Sequence, residues 1–128
     1  MGNTQMGNSQ QDSTQQIATV VASQLRLGPG FHERDREHVV AALESLDRHL
    51  ARWRPERVDL RVSVKERETL NQRVTLEIWV PGCNPLIANS HERNIDHALI
   101  EVRKVIVREI EEERSRREPH KGSAHQTH

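Results

Sequence analysis

The chain has 128 residues, enough for one domain around a single hydrophobic core. Its 19 basic and 19 acidic residues cancel, and they also cancel within each stretch when the chain is cut at 31, 57 and 90, so no basic arm is present to hold a polyanion by bulk charge. Cys83 is the only cysteine, which excludes an intrachain disulfide, and no apolar run approaches the ~18 residues of a membrane helix. The polar start MGNTQMGNSQ has no signal-peptide core, and a cytoplasmic protein is expected.

Residues 1–15 are Gln, Asn, Ser, Thr and Gly with little to bury, and they read as a disordered tail. The folded domain is expected over 16–117, with a second tail at 118–128 marked by the breakers Pro119 and Gly122. Ile17 to Ala22 is a short β-branched run before Gly28-Pro29-Gly30, which suits a first strand and its loop. Val39, Leu43, Leu46, Leu50 and Trp53 then recur at spacings of 4, 3, 4 and 3, one stripe of an amphipathic helix that Pro55 stops. Trp53, in register with that stripe, is expected in the core.

Val58, Leu60, Val62 and Val64 alternate with Asp59, Arg61, Ser63 and Lys65, the period of a strand with one apolar face. Val74, Leu76, Ile78 and Val80 repeat the pattern, and the polar stretch Glu66 to Gln72 between them reads as a hairpin connection. After the Pro81-Gly82 turn, Leu86 to Asn89 suits a brief fourth strand. Ile95, Leu99, Val102, Ile106 and Ile110 then mark a second long helix. Apolar helix stripes and strand faces need each other's burial, so the expected fold is α+β: a two-layer sandwich of order β-α-β-β-β-α, with two helices packed on one face of a four-stranded sheet.

The stretch from Val58 to Val102, with Val62, Glu66, Val74, Leu76, Ile78, Pro81, Gly82, Leu86, Ala88, Ala98 and Leu99 at its characteristic positions, resembles the central segment of the ribosome hibernation promoting factors. Leu43, Leu46, Arg48, His49 and Leu50 resemble that family's first helix, and the likeness covers about residues 31–114. The chain differs where Asp96 stands in place of a usual aromatic residue, Ile100 in place of an acidic one and Val105 in place of a lysine. The resemblance implies a protein that binds small-subunit ribosomal RNA and silences idle ribosomes. It corresponds to a short form without the C-terminal dimerisation domain of longer members.

Guanidinium groups grip phosphate oxygens through paired hydrogen bonds. On that ground, joined to the resemblance, Arg48, Arg52, Lys65, Arg67, Arg73, Arg103, Lys104, Arg108 and Arg114 are the expected RNA-binding residues. For any one of them, the alternative is a solvated surface laced with pairs such as Glu44 with Arg48 or Glu112 with Arg116. Trp79 belongs on the outward face of its strand, where it could stack on a base, although cover for the sheet edge is the simpler reading.

His120, His125 and His128 have no cysteine or carboxylate partner nearby and read as incidental. Helix-start polarity accounts for Asp96 and His97 without acid-base chemistry. No glycine-rich phosphate loop, GxSxG or zinc-protease motif is present. The expectation is therefore a non-enzyme without cofactor, metal, membrane contact or small-molecule substrate. Its partner would be the small ribosomal subunit. The alternative is a diverged copy of the domain that mediates protein interaction or a stress response without RNA binding.

Overall fold

A computed structural model describes residues 20–116, so the expectations for both tails, and for the histidines of the second, lie outside the described residues. In chain order the elements are α1 (Val20–Gln24), β1 (Leu25–Leu27), a 3₁₀ turn (Glu33–Asp35), α2 (Arg36–Leu43), α3 (Leu46–His49), a second 3₁₀ turn (Pro55–Arg57), β2 (Asp59–Lys65), β3 (Arg73–Trp79), β4 (Leu86–Ser90) and α4 (Ile95–Arg116). The four strands form one mixed sheet in the order β1-β2-β3-β4, so the α+β class and four-stranded sheet expected from the pattern are present. β1 runs parallel to β2, and the other two pairings are antiparallel.

The first strand lies later than its apolar run suggested. Val20 to Ala22 are helical, and the strand is Leu25–Leu27, paired so that Leu25 meets Leu60 and Leu27 meets Val62. The pairing is extended beyond β1 by backbone hydrogen bonds from Gly28 N to Val62 O at 2.7 Å and from Val64 N to Pro29 O at 2.9 Å. Gly30 makes this close approach possible: its φ is +92°, and a Cβ there would stand 2.1 Å from the Val64 carbonyl oxygen.

The expected first helix is two segments. Glu44 and Ser45, between α2 and α3, keep helical dihedrals (φ −62°, ψ −23° and φ −65°, ψ −12°), so the apolar spacing passes through the interruption. Val39, Leu43, Leu46 and Leu50 are all buried, whereas Trp53 is only half-buried, with the Arg52 guanidinium 4.7 Å from its ring centroid. The tryptophan is thus a lid on the core edge. Polarity explains the difference, because the chain leaves the helix just after Leu50 and the following residues face water.

Burial alternates strictly along the sheet. Leu60, Val62 and Val64 of β2, Val74, Leu76 and Ile78 of β3, and Leu86, Ala88 and Ser90 of β4 are buried, while the residues between them are half-buried or exposed. The buried face shares one cluster with Ala98, Leu99, Val102, Ile106 and Ile110 of α4 and with the apolar side chains of α2 and α3. Asn94 starts α4 at the expected place, its side-chain oxygen accepting from His97 N–H at 3.0 Å.

The hairpin connection is pinned by one buried amide. Gln72 is completely buried; its Nε2 donates to the carbonyls of Glu92 (2.8 Å) and Arg93 (3.1 Å), and its Oε1 accepts from Glu68 N–H at 2.7 Å. The amide is satisfied on both sides and ties the β2–β3 loop to the segment that enters α4.

Leu46 and Ile106 lie at the centre of the cluster and are fully buried. Leu46→Ala and Ile106→Ala are each expected to lower unfolding free energy by about 2 to 5 kcal/mol. Urea denaturation of the purified chain checks this, and an unchanged midpoint for either variant would remove that residue from the core.

Candidate nucleic-acid interface

The nine expected RNA-binding residues do not share one surface. Arg67 and Arg103 are half-buried and held by intramolecular hydrogen bonds. Arg67 Nη1 donates to Asp35 Oδ2 at 2.9 Å and to the Gly30 carbonyl at 2.9 Å, its Nη2 donates to Asp35 Oδ1 at 3.3 Å, and its guanidinium lies 5.3 Å from the Phe31 ring centroid. This fork locks the hairpin connection onto the loop that precedes α2. Arg103 donates from Nη1 to the Ala42 carbonyl at 2.9 Å, satisfying an orphan carbonyl at the end of α2. A phosphate would have to displace the Asp35 fork to grip Arg67, whereas Arg103 commits one nitrogen to the Ala42 carbonyl.

The helical layer carries the next group. Arg48 on α3 is exposed beside Glu44, Ser45 and Asp47. Arg52 is exposed and covers Trp53. Lys104 and Arg108 are exposed on α4, Lys104 beside Glu92, His97 and Glu101. Arg114 pairs with Glu111 at 3.6 Å, and Arg116 pairs with Glu113, so the ion pairs along this helix end form at a spacing of three. Positive charge on this layer is thus interleaved with carboxylates.

The flank of α4 beside β4 is acidic. Glu109, Glu112, Glu113 and Arg116 line a cleft with Asn84, Pro85, Leu86 and Ile87. Burial, then repulsion from Glu112, pushes the Glu109 carboxyl above its usual range, while Arg108 and a hydrogen bond to the Ile87 backbone oppose that shift. A polyanion gains nothing there.

Lys65 and Arg73 occupy a different place. The strand period puts them on the face of the sheet opposite the apolar cluster, and the register sets them directly across from each other at the last rung of the β2–β3 ladder. Like charges opposed on neighbouring strands are unfavourable. Among the described residues, no carboxylate lies within 4.0 Å of either side chain, and Arg73 Nε is buried without a hydrogen-bond partner. Thr75, Asn89 and Ser63 follow on the same face, Thr75 Oγ1 donating to Asn89 Oδ1 at 2.7 Å.

Arg61, which was not among the expected site residues, lies on the same face, directly across from Glu77 of β3. It projects on the same face four residues before Lys65, a separation of about 13 Å along the strand, and lies against Gly28, where a Cβ would meet its Nε at 2.9 Å. Its shared parity with Lys65 was the available signal. Arg26, its neighbour across β1, is neutralised by Asp59 through contacts of 3.0 and 2.9 Å. Trp79 stands half-buried on this face at the far end, opposite Asp59.

No group of histidine, cysteine or acidic side chains suited to a metal ion occurs among the described residues. Asp96 and His97 do not form an acid-base pair; Asp96 instead bonds His38 Nε2 on α2, so the residue that replaces the resembled family's aromatic joins α2 to α4. No helix among the described residues is long and apolar enough to cross a membrane. No family model matches the chain, and no curated protein matches it.

The Asp35–Arg67 fork has a pH signature. Hydrogen bonding from Arg67, followed by the His32 backbone N–H, holds the Asp35 carboxyl well below the usual carboxylate range. A depressed folded-state value stabilises the fold above the unfolded value of about 4 and loses that contribution as pH falls through the folded value. Asp35→Asn is expected to cost about 1 to 3 kcal/mol at neutral pH. It should also flatten the loss of stability between pH 4 and pH 2, read from thermal melts across that range.

Proposed function

We propose that this chain binds small-subunit ribosomal RNA through the open face of its sheet and acts as a cytoplasmic, non-enzymatic inhibitor of translation on idle ribosomes. The observation that carries the reading is the Lys65–Arg73 rung: two cations opposed across strands, without a carboxylate partner among the described residues. A bridging phosphate supplies the missing counter-charge to both side chains at once. Ser63, Thr75 and Asn89 offer hydrogen bonds to sugar or phosphate beside the rung, and Arg61 adds a further cation on this face, across from Glu77.

The resemblance over residues 31–114 supports the choice of RNA, and the four-stranded α+β fold agrees with what that resemblance implies. The aromatic platform of single-strand RNA readers is missing, with no Tyr and only Phe31 besides two Trp in the chain. Backbone contact is therefore the recognition mode, which makes binding dependent on shape and salt.

Co-sedimentation with purified small subunits at two salt concentrations tests this. Wild type should pellet at low salt and less at high salt, because phosphate contacts release counterions. Replacing Lys65 and Arg73 by Glu together should weaken binding by about tenfold or more and reduce the salt slope by roughly 1.5, two contacts' worth. The pair Arg108→Glu and Arg114→Glu, on the helical layer, should weaken it less, and His125→Ala with His128→Ala should leave it unchanged. Wild type that stays in the supernatant at low salt would overturn ribosome binding in favour of a protein-interaction role.

A further inference from the structure

The connection between β2 and β3 is an unusual hairpin loop. Tight hairpins place Gly, Asn or Asp where the backbone enters the left-handed region. Here Glu66 and Glu68 adopt it, with φ of 53° and 67°. Such residues persist only where the surroundings fix them. Two anchors do so: the Arg67 fork onto Asp35 and the Gly30 carbonyl on one side, and the buried Gln72 amide on the other.

Between these anchors the loop presents Leu70, 71% exposed and the most exposed large apolar side chain among the described residues. A single exposed leucine on a mobile loop would be ordinary. This one rides on a fixed backbone, so little ordering entropy opposes its docking.

Charge along the loop indicates the partner. At its base stand Lys65 and Arg73, and beyond them Glu66 and Glu68 outnumber Arg93, which lines the same depression as Glu68 and Leu70, because the Arg67 charge is matched by Asp35. The base attracts phosphate, and the excess of carboxylates at the tip disfavours it. Proteins embedded in RNA carry Lys and Arg to neutralise its phosphates, and they offer an acidic, apolar tip the complementary surface. We infer that Leu70, with Glu66 and Glu68 beside it, docks into an apolar socket rimmed by lysine or arginine on a protein of the small ribosomal subunit, while the base of the same hairpin contacts RNA. This inference rests on the ribosomal reading above and names its second contact.

The experiment uses the full chain with a photoreactive benzoyl-phenylalanine in place of Leu70, irradiated on purified small subunits, with co-sedimentation measured in the same samples. The expected product is a crosslink to a subunit protein and none to RNA. In parallel, Leu70→Ser should raise Kd for intact subunits about tenfold, the loss of one buried leucine contact, with unchanged melting. Co-sedimentation with a crosslink to RNA, or with no crosslink, or with Leu70→Ser binding like wild type, would overturn the protein contact while leaving RNA binding in place. A wild-type chain that fails to co-sediment would overturn the ribosomal reading and this inference with it.

Discussion

Burial of one face of the β2–β3–β4 ladder is the constraint on which the rest of the molecule depends. Eight alternating positions on three strands point into a single cluster, and each fully buried Leu, Ile or Val contributes about 1.5 to 3 kcal/mol relative to exposure. Exposed ion pairs such as Arg26–Asp59 or Arg54–Glu56 contribute about 0 to 1 kcal/mol each. Apolar burial therefore wins by a wide margin in deciding the register. A slip of one residue would send Leu60, Val62, Leu76 and Ile78 to water and bring Arg61, Lys65, Arg73 and Glu77 inside. The composition of the open face is left free to serve another purpose.

The hairpin draws its rigidity from residues far away in sequence. Asp35 lies 32 positions before Arg67, and the carbonyls that receive the Gln72 amide lie 20 and 21 positions after it. Three loops, those before α2, between β2 and β3, and before α4, are thereby fastened at one end of the sheet. That end also carries Lys65 and Arg73. The cationic rung is mounted on the most heavily cross-braced corner of the fold, which holds two repelling charges in place instead of letting them splay apart.

Local periodicity made β2, β3, β4 and α4 legible, since alternation over seven residues and a stripe over sixteen leave little choice of element. The first strand was not legible, because three residues in parallel pairing with β2 carry no local pattern, and the β-branched run before it is partly taken up by α1. The break between α2 and α3 was hidden for the opposite reason: helical dihedrals at Glu44 and Ser45 preserve the stripe. At the candidate site, residue type identified cations but not their employment. Arg67 and Arg73 read alike in the sequence, yet one is bound by a carboxylate from another loop and the other faces only a lysine. Arg61 shares the polar face of its strand with Lys65, and strand parity alone does not separate the two.

The neutrality of the whole chain is compatible with a polyanion partner once charge is considered by layer. Interactions between exposed charges are largely screened beyond about 8 Å at physiological salt. The acidic side chains of α4 that face away from the sheet stand a helix diameter, about 10 Å, behind the apolar layer. They contribute little potential at Lys65 and Arg73; on the open face itself Glu77 stands across from Arg61, two rungs away from Ser63 and Thr75 and four from the Lys65–Arg73 pair. The opposed cations repel each other, and a phosphate placed between them would remove that repulsion as well as add its own attraction. The gain on binding is therefore larger than for two isolated lysines on a helix, where no repulsion exists to be relieved.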